Sequence, residues 1–270
     1  MTDAADTTAA TLAHPTTTDR ALTLKALYEA PEILRVVNVW DAVSARVVAS
    51  LPETKAIATA GHSIAASFGY EDGGMPVDLA LAGARTVAEA VHLPVTADLD
   101  DGYDDPAETI RRAIGFGIVG ANVEDRLRPF DESVARVRAI TKAAEAEGVA
   151  FQLNARTDAL FLGKDRWPED RIEDAGSRGR AFLDEGAALV FVPGALTREV
   201  VERLVDGIGW GKVSVIGLPG ALPASEYEKL GVARISYGPL PQRAALLALR
   251  DLATELYGEG VVPEGLPPLN

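Results

Sequence analysis

Residues 95–125, VTADLDDGYDDPAETIRRAIGFGIVGANVED, decide how this chain folds. A short β-branched run, Val95 to Asp100, is followed by a segment at helical spacing and then by a second run, Gly120 to Asp125. Between the runs Asp105 offers an N-cap carboxylate, Pro106 suits the first helical position, and Glu108 can cap reciprocally. Ile110, Ala113 and Ile114 then share one face, so the whole stretch reads as strand, helix, strand.

Outward from this unit the alternation repeats. Similar runs occur at Arg35 to Trp40, Ala56 to Ala60, Phe151 to Arg156, Leu189 to Gly194, Val213 to Leu218 and Ala233 to Gly238, which makes eight in all. The segments between them carry further helix signals: Asp78 before Ala80 to Val91, Asp131 before Val134, Val137 and Ile140, and Ser225 with Glu228 as a capping pair. Eight such units favour closure into an α/β (β/α)8 TIM barrel over an open sheet, because closure leaves no unpaired edge. One barrel domain is expected over residues 21–258. Met1 to Arg20, rich in Ala, Thr and Asp, is expected to be a disordered tail, and the Pro-rich segment 259–270 a second tail. The last helical stretch, Pro241 to Tyr257, would close the barrel or reach a neighbouring subunit. Two connections, Gly61 to Asp78 and Thr157 to Asp174, are long for a plain barrel, and both leave the strand ends where such folds keep their chemistry.

Composition narrows the partners. The 270 residues are 47% apolar, enough for one large core, and 26 Lys and Arg stand against 40 Asp and Glu, a formal net charge of −14. That balance disfavours nucleic acid or an anionic membrane as the partner and leaves a small molecule or a metal ion. The absence of cysteine removes disulfides, thiolate metal sites and a Cys nucleophile. Without a basic-then-apolar leader or an apolar run of roughly 18 residues, a cytoplasmic protein is expected.

The expected strand tips carry the chemistry. The third ends in Asp98, Asp100 and Asp101, the fourth in Glu124 and Asp125. Strand alternation puts Asp98 and Asp100 on one face and Leu99 on the other. Such carboxylates repel one another unless a cation sits between them, and an all-oxygen set suits Mg2+ or Mn2+ better than Zn2+. Loop caps and exposed carboxylates are the plainer reading, which Asp105 fits, as do Asp101 and Asp125. The fifth strand ends in Arg156, whose guanidinium matches a carboxylate or phosphonate, or else neutralises Glu124 or Asp158. Gly61 permits close backbone approach, so its amide and that of His62 could hold an oxyanion. Gly217, Gly220 and Gly238 read equally as a phosphate cradle or as tight turns.

Five stretches then resemble one known family in order: Asn38 to Asp41 with Ser44 to Arg46, Phe68 to Gly73, Ala97 to Tyr103, Gly120 to Arg126 and Ala155 to Asp158. They are similar to signatures of the isocitrate lyase and phosphoenolpyruvate mutase superfamily. The resemblance implies Mg2+ (or Mn2+) held directly or through water by Asp72, Asp98, Asp100 and Glu124. It implies a 2-oxo or 2-hydroxy acid whose carboxylate meets amides near Gly61 and His62, with Trp40 and Arg156 also binding substrate and Arg156, Glu124 and Asp72 taking part in catalysis. It further implies a homodimer or homotetramer that exchanges the C-terminal helix.

Departures bear on the reaction. Isocitrate and methylisocitrate lyases of the family carry a Lys-Arg/Lys-Cys-Gly-His type loop where this chain has Arg126 to Ser133, and mutases show Lys and Asn where Phe130 and Glu132 align. A family lyase uses the loop thiol to protonate its leaving carbanion, so cleavage of isocitrate or methylisocitrate is expected to be negligible here. The expected function is cleavage of a C–C bond next to a metal-chelated 2-oxo or 2-hydroxy acid, by a lyase or hydrolase. A C–P phosphonomutase or phosphonopyruvate hydrolase, and an inactive barrel that binds a 2-oxo acid, stay open.

Overall fold

The run expected as the first strand breaks at Val37, and the break shows how the sheet closes. In this computed structural model, which describes residues 15–267, the run forms β1 (Leu34–Val36) and β2 (Asn38–Val39). β1 pairs in parallel with the last strand, β9 (Val232–Ser236), and β2 with β3 (Ile57–Thr59). The sheet continues through β4 (Val95–Asp98), β5 (Gly120–Glu124), β6 (Gln152–Arg156), β7 (Leu189–Phe191) and β8 (Val213–Ile216), every neighbouring pair parallel. One chain segment therefore supplies both ends of the strand order, and the sheet is a (β/α)8 barrel with its first strand split.

Around it run α2 (Ala42–Ala49), α3 (Gly61–Ser67), α4 (Val77–Ala90), α5 (Pro106–Gly115), α6 (Phe130–Ala146), α7 (Pro168–Asp184), α8 (Arg198–Ile208), α9 (Ala224–Lys229) and α10 (Leu240–Gly258). Asp105 caps α5, accepting from the Glu108 amide at 3.0 Å. Other expected caps are spent elsewhere. Asp78 lies in the first turn of α4 and pairs with Arg112 at 2.7 Å, while Asp131 lies in the first turn of α6. Glu228 reaches across to accept from the Ile33 amide at 2.8 Å instead of capping α9. For Asp78 and Glu228 a tertiary partner replaced a local one.

The tail expected over residues 1–20 needs correction, because α1 (Thr17–Glu29) begins inside it; residues 1–14 and 268–270 lie outside the described residues. Thr16 and Asp19 form a capping box, and Ala21, Leu24 and Tyr28 line one face at helical spacing. That face packs on Leu34, Val36, Ala56, Val119, Leu189 and Ala233, so α1 plugs the end of the barrel where the strands begin. Within the barrel, Asn154 donates to Asn122 Oδ1 at 2.7 Å and to Ser214 Oγ at 3.2 Å, and Arg234 Nη1 donates to the same Ser214 oxygen at 3.1 Å. No helix among the described residues is long and apolar enough to cross a membrane.

At the opposite end Asp125, read from sequence as a loop cap or an exposed carboxylate, is buried and ties four elements together. Its Oδ1 accepts from the amides of Leu127 (2.9 Å) and Asp158 (3.0 Å), and its Oδ2 meets Arg178 Nη1 of α7 at 3.1 Å. Arg178 also donates to Ser133 of α6 at 3.1 Å and to Asp174 at 2.9 Å. Asp125→Ala would leave the Arg178 charge, 6% exposed, short of a counter-ion. We expect a loss of about 3–5 kcal/mol in urea titration, partly recovered by adding Arg178→Met. A loss under about 1 kcal/mol would show that Asp174 alone suffices.

Candidate active site

The strand tips of β4, β5 and β6 bring the acidic residues together. Asp98 ends β4; its amide donates to Thr59 Oγ1 at 3.0 Å and its Oδ2 accepts from the Gly61 amide at 3.0 Å. A Cβ on Gly61 would sit 3.2 Å from Asp98 Oδ2 and 3.4 Å from Asp100 Oδ1, so both carboxylates converge on the first residue of α3. The Gly61 amide, expected to face substrate, is thus already engaged by Asp98.

Asp100 lies beyond the strand, so alternation is not what places it. Its backbone is left-handed, with φ 49°, while its carbonyl accepts from the Glu124 amide at 2.8 Å. Tyr103, also left-handed at φ 60°, donates its hydroxyl to Asp100 Oδ2 at 3.1 Å. Burial pushes Asp98 up to about 7, with the adjacent Asp100 adding to the rise and the Gly61 amide and Arg156 opposing it. Burial likewise raises Asp100; its Tyr103 bond opposes the rise, and Glu124 and Asp72 add to it.

Glu124 faces Arg156 across the β5–β6 register. Its Oε2 meets Arg156 Nη1 at 2.7 Å, and its Oε1 accepts from Arg126 Nε at 3.1 Å. Arg156 Nη2 and Nε reach Asp158 Oδ1 at 2.7 and 2.8 Å, and the rings of Phe161 and Phe191 lie 5.9 Å from the guanidinium carbon. Burial works against the Arg156 charge, but Asp158 and Glu124 outweigh it and hold its pKa above the ordinary value. Burial pushes Asp158 up to about 6 against the pull of Arg156. Both readings of Arg156 at the rim therefore stay compatible with its place: it neutralises Glu124 and Asp158, and it sits at the mouth.

Asp72 and His62 form the outer edge. Asp72 Oδ2 lies 3.6 Å from His62 Nδ1, and both side chains are exposed. Trp40 packs with Tyr103 on the cluster of Ile64, Ala65, Met75 and Ala80, beside α3. Glu132 lies in the first turn of α6, paired with Arg128 Nε at 3.2 Å. In the glycine turn after β9, Asn38 Oδ1 accepts from the amides of Tyr237 (2.7 Å) and Gly238 (2.8 Å).

Among the described residues no three His, Asp or Glu side chains gather closely enough to encase an ion unaided. Asp98 and Asp100 do offer two convergent, desolvated acceptors, the donor set that suits a cation keeping much of its water, as Mg2+ does. Four contributors were not read from the sequence: Thr59, Tyr103, Arg126 and Arg234. Tyr103 stands in a quoted motif, and Arg234 with Ser236 shows interior-facing polarity at a spacing of two, so both left a signal. Thr59 and Arg126 act through partners 39 and 2 residues away, respectively, and only the fold shows those contacts.

Comparison with known proteins agrees with this arrangement. A family model described as phosphoenolpyruvate phosphomutase matches residues 24–257. An oxaloacetate decarboxylase from Paraburkholderia xenovorans is 30% identical, over 95% of this chain and 87% of its own. Among solved structures, a Burkholderia cenocepacia protein assigned as a phosphonomutase superposes with a TM-score of 0.82 at 34% identity, over 88% of this chain and 99% of its own. An oxaloacetate acetylhydrolase bound to 3,3-difluorooxalacetate superposes with a TM-score of 0.83 at 25% identity, over 94% and 92%. With a family match across most of its length and carboxylate-bearing strand tips in the expected places, the chain belongs to the phosphoenolpyruvate phosphomutase family, within the superfamily of isocitrate lyase and phosphoenolpyruvate mutase.

Proposed function

We propose that the protein is a Mg2+-dependent enzyme, with Mn2+ as an alternative ion, that cleaves a C–C bond adjacent to the oxo or hydroxy carbon of a small 2-oxo or 2-hydroxy dicarboxylate, as a lyase or hydrolase. The observation that carries this reading is the convergence of Asp98 and Asp100 on Gly61 in a mouth where burial holds both carboxyls above their ordinary pKa. A bound divalent ion would supply a Lewis acid for the substrate oxygens and so favour enolate-like charge. Asp98 and Asp100 would hold it, with Glu124 and Asp72 reaching it directly or through water.

The chain's own groups supply the rest. Tyr103 fixes Asp100 by its hydroxyl, and Thr59 and Gly61 fix Asp98. Arg156, steadied by Asp158 and two aromatic rings, orients the substrate's charged end, with the His62 amide and Trp40 on the other side. The likeness to a phosphonomutase favours a second reading, C–P cleavage at the same site. We further propose a homodimer or homotetramer in which α10 packs on a neighbouring copy. That helix exposes Leu246, Leu247, Leu249 and Tyr257 along its length. A mass of one chain in sedimentation equilibrium would rule the assembly out.

Steady-state assays of oxaloacetate, substituted malates, isocitrate and phosphonopyruvate test the reaction. Turnover of a C–C substrate should stop in EDTA and return with Mg2+; full activity in chelator would end the metal reading. Robust glyoxylate release from isocitrate would refute the argument from the missing thiol, and phosphate release from phosphonopyruvate would favour the second reading. The same carboxylates predict a stability effect. A carboxyl whose folded pKa is raised contributes less stability as pH rises from the unfolded value, 3.8, towards the folded one, about 7 for Asp98. Metal-free Asp98→Asn should therefore melt higher than wild type at pH 8 and lose that advantage near pH 4, while being inactive. Arg156→Lys should lose roughly tenfold to a hundredfold in kcat/KM, since an ammonium cannot span Glu124 and Asp158 while facing substrate. Unchanged kinetics would make Arg156 a rim charge only.

A further inference from the structure

Beside Asp100 a cavity of about 800 Å³ opens between the loop at Gly73 and Met75, the turn at Tyr103, and Arg126 and Arg128. Its walls are rich in Asp and Glu, so an anionic ligand group entering it must land on an available cation. Four arginines line it. Arg128 pairs with Asp101 and Glu132, Arg136 donates to the carbonyls of Asp101 (2.7 Å) and Tyr103 (2.8 Å), and Arg112 meets Asp78 at 2.7 Å.

Arg126 is placed differently. Its carboxylate contacts use the Nε edge, to Glu124 Oε1 at 3.1 Å and Asp101 Oδ2 at 3.5 Å, whereas its Nη2 points across the cleft to Gly73, 3.5 Å from where a Cβ would stand there. The side chain is 42% exposed. Its backbone and that of Leu127 are left-handed, φ 47° and 54°, an uncommon state for such residues. Asp125 pins them there by accepting from the Leu127 amide at 2.9 Å, so the fold maintains a strained turn that returns Arg126 to the mouth. Strain of this kind, held by a buried side chain, collects where a group must be aimed.

We propose that Arg126 is the specificity-determining residue of this site: through the outer edge of its guanidinium it binds the far anionic group of the substrate, selecting 2-oxo or 2-hydroxy acids that carry a second carboxylate or a phosphonate. This rests on the reading of the site as one for metal-chelated 2-oxo or 2-hydroxy acids. With the near end at the ion that Asp98 and Asp100 would hold and at Arg156, the cleft beside Asp100, towards Gly73 and Arg126, would receive the far anionic group. A planar fork then meets a planar carboxylate with two bonds, which an ammonium does only in part.

The test compares wild type, Arg126→Met and Arg126→Lys, each with Mg2+, on malate and on malate esterified at its far carboxylate. Binding is read by calorimetry, and whichever dicarboxylate proves to be a substrate is compared with its far-end monoester in turnover. Wild type should prefer the free diacid by about tenfold or more, in KM and not in kcat, and Arg126→Met should bring that ratio close to one. Arg126→Lys should restore part of it. If Arg126→Met weakens diacid and monoester alike, Arg126 serves only to clamp Glu124 and the proposal fails; an unchanged ratio overturns it equally. Absence of turnover on every acid would count against the functional reading, whereas the calorimetric ratio decides the role of Arg126 in either case. Arg126→Lys, which keeps the charge and the turn, guards against misfolding of the Met variant.

Discussion

Desolvated carboxylates at one end of a parallel barrel repel one another, and most of what surrounds them contains that repulsion. Asp98 and Asp100 meet over Gly61, where a side chain would leave them no room, and burial holds both above the ordinary carboxylate range. Each is kept in place by donors: the Gly61 amide and the Tyr103 hydroxyl take one oxygen apiece. Glu124 is bracketed between Arg156 and Arg126, so it adds its charge to the mouth without approaching the pair freely. Electrostatics of this sort are expensive without a cation, which is the ground on which the proposed function places one there.

A second layer fixes the first. Asp125 gathers the amides that follow β5 and β6 and anchors them to Arg178 on α7, and Ser133 on α6 shares the same guanidinium. The tips that carry Glu124 and Arg156 are therefore tied to one anchor. At the other end α1 fills the barrel with Ala21, Leu24 and Tyr28, so solvent is excluded from below while the mouth stays open above. Stability concentrates at the plug and the strap, and chemistry occupies the rim between loops, the division that this architecture commonly makes.

Much of this was legible in the chain. Period-two runs separated by helical segments imply a barrel, and residue types along them put acidic residues at two consecutive tips, because alternation acts over distances that sequence spacing can measure. Local capping was less reliable: Asp105 caps as its neighbours suggest, but Asp78 and Glu228 each found a partner far along the chain. The N-terminal segment was misjudged for a related reason. Its Ala, Thr and Asp composition read as a tail, whereas Ala21, Leu24 and Tyr28 hold the helix because the open end of the barrel receives them.

The sequence by itself determined the order of strands and helices and which tips carry Asp98, Glu124 and Arg156, since those follow from periodicity and from residue types at fixed spacing, and the family through the motifs it resembles. Only the tertiary structure decided the assignments that depend on direction. It turned Asp100 and Arg126 through left-handed backbone, gave the Gly61 amide to Asp98, and buried Asp125 against an arginine 53 residues away. Spacing along a strand predicts which face a side chain occupies while the strand lasts. Past its last hydrogen bond the chain turns, and where each group then points depends on partners that close packing alone brings within reach.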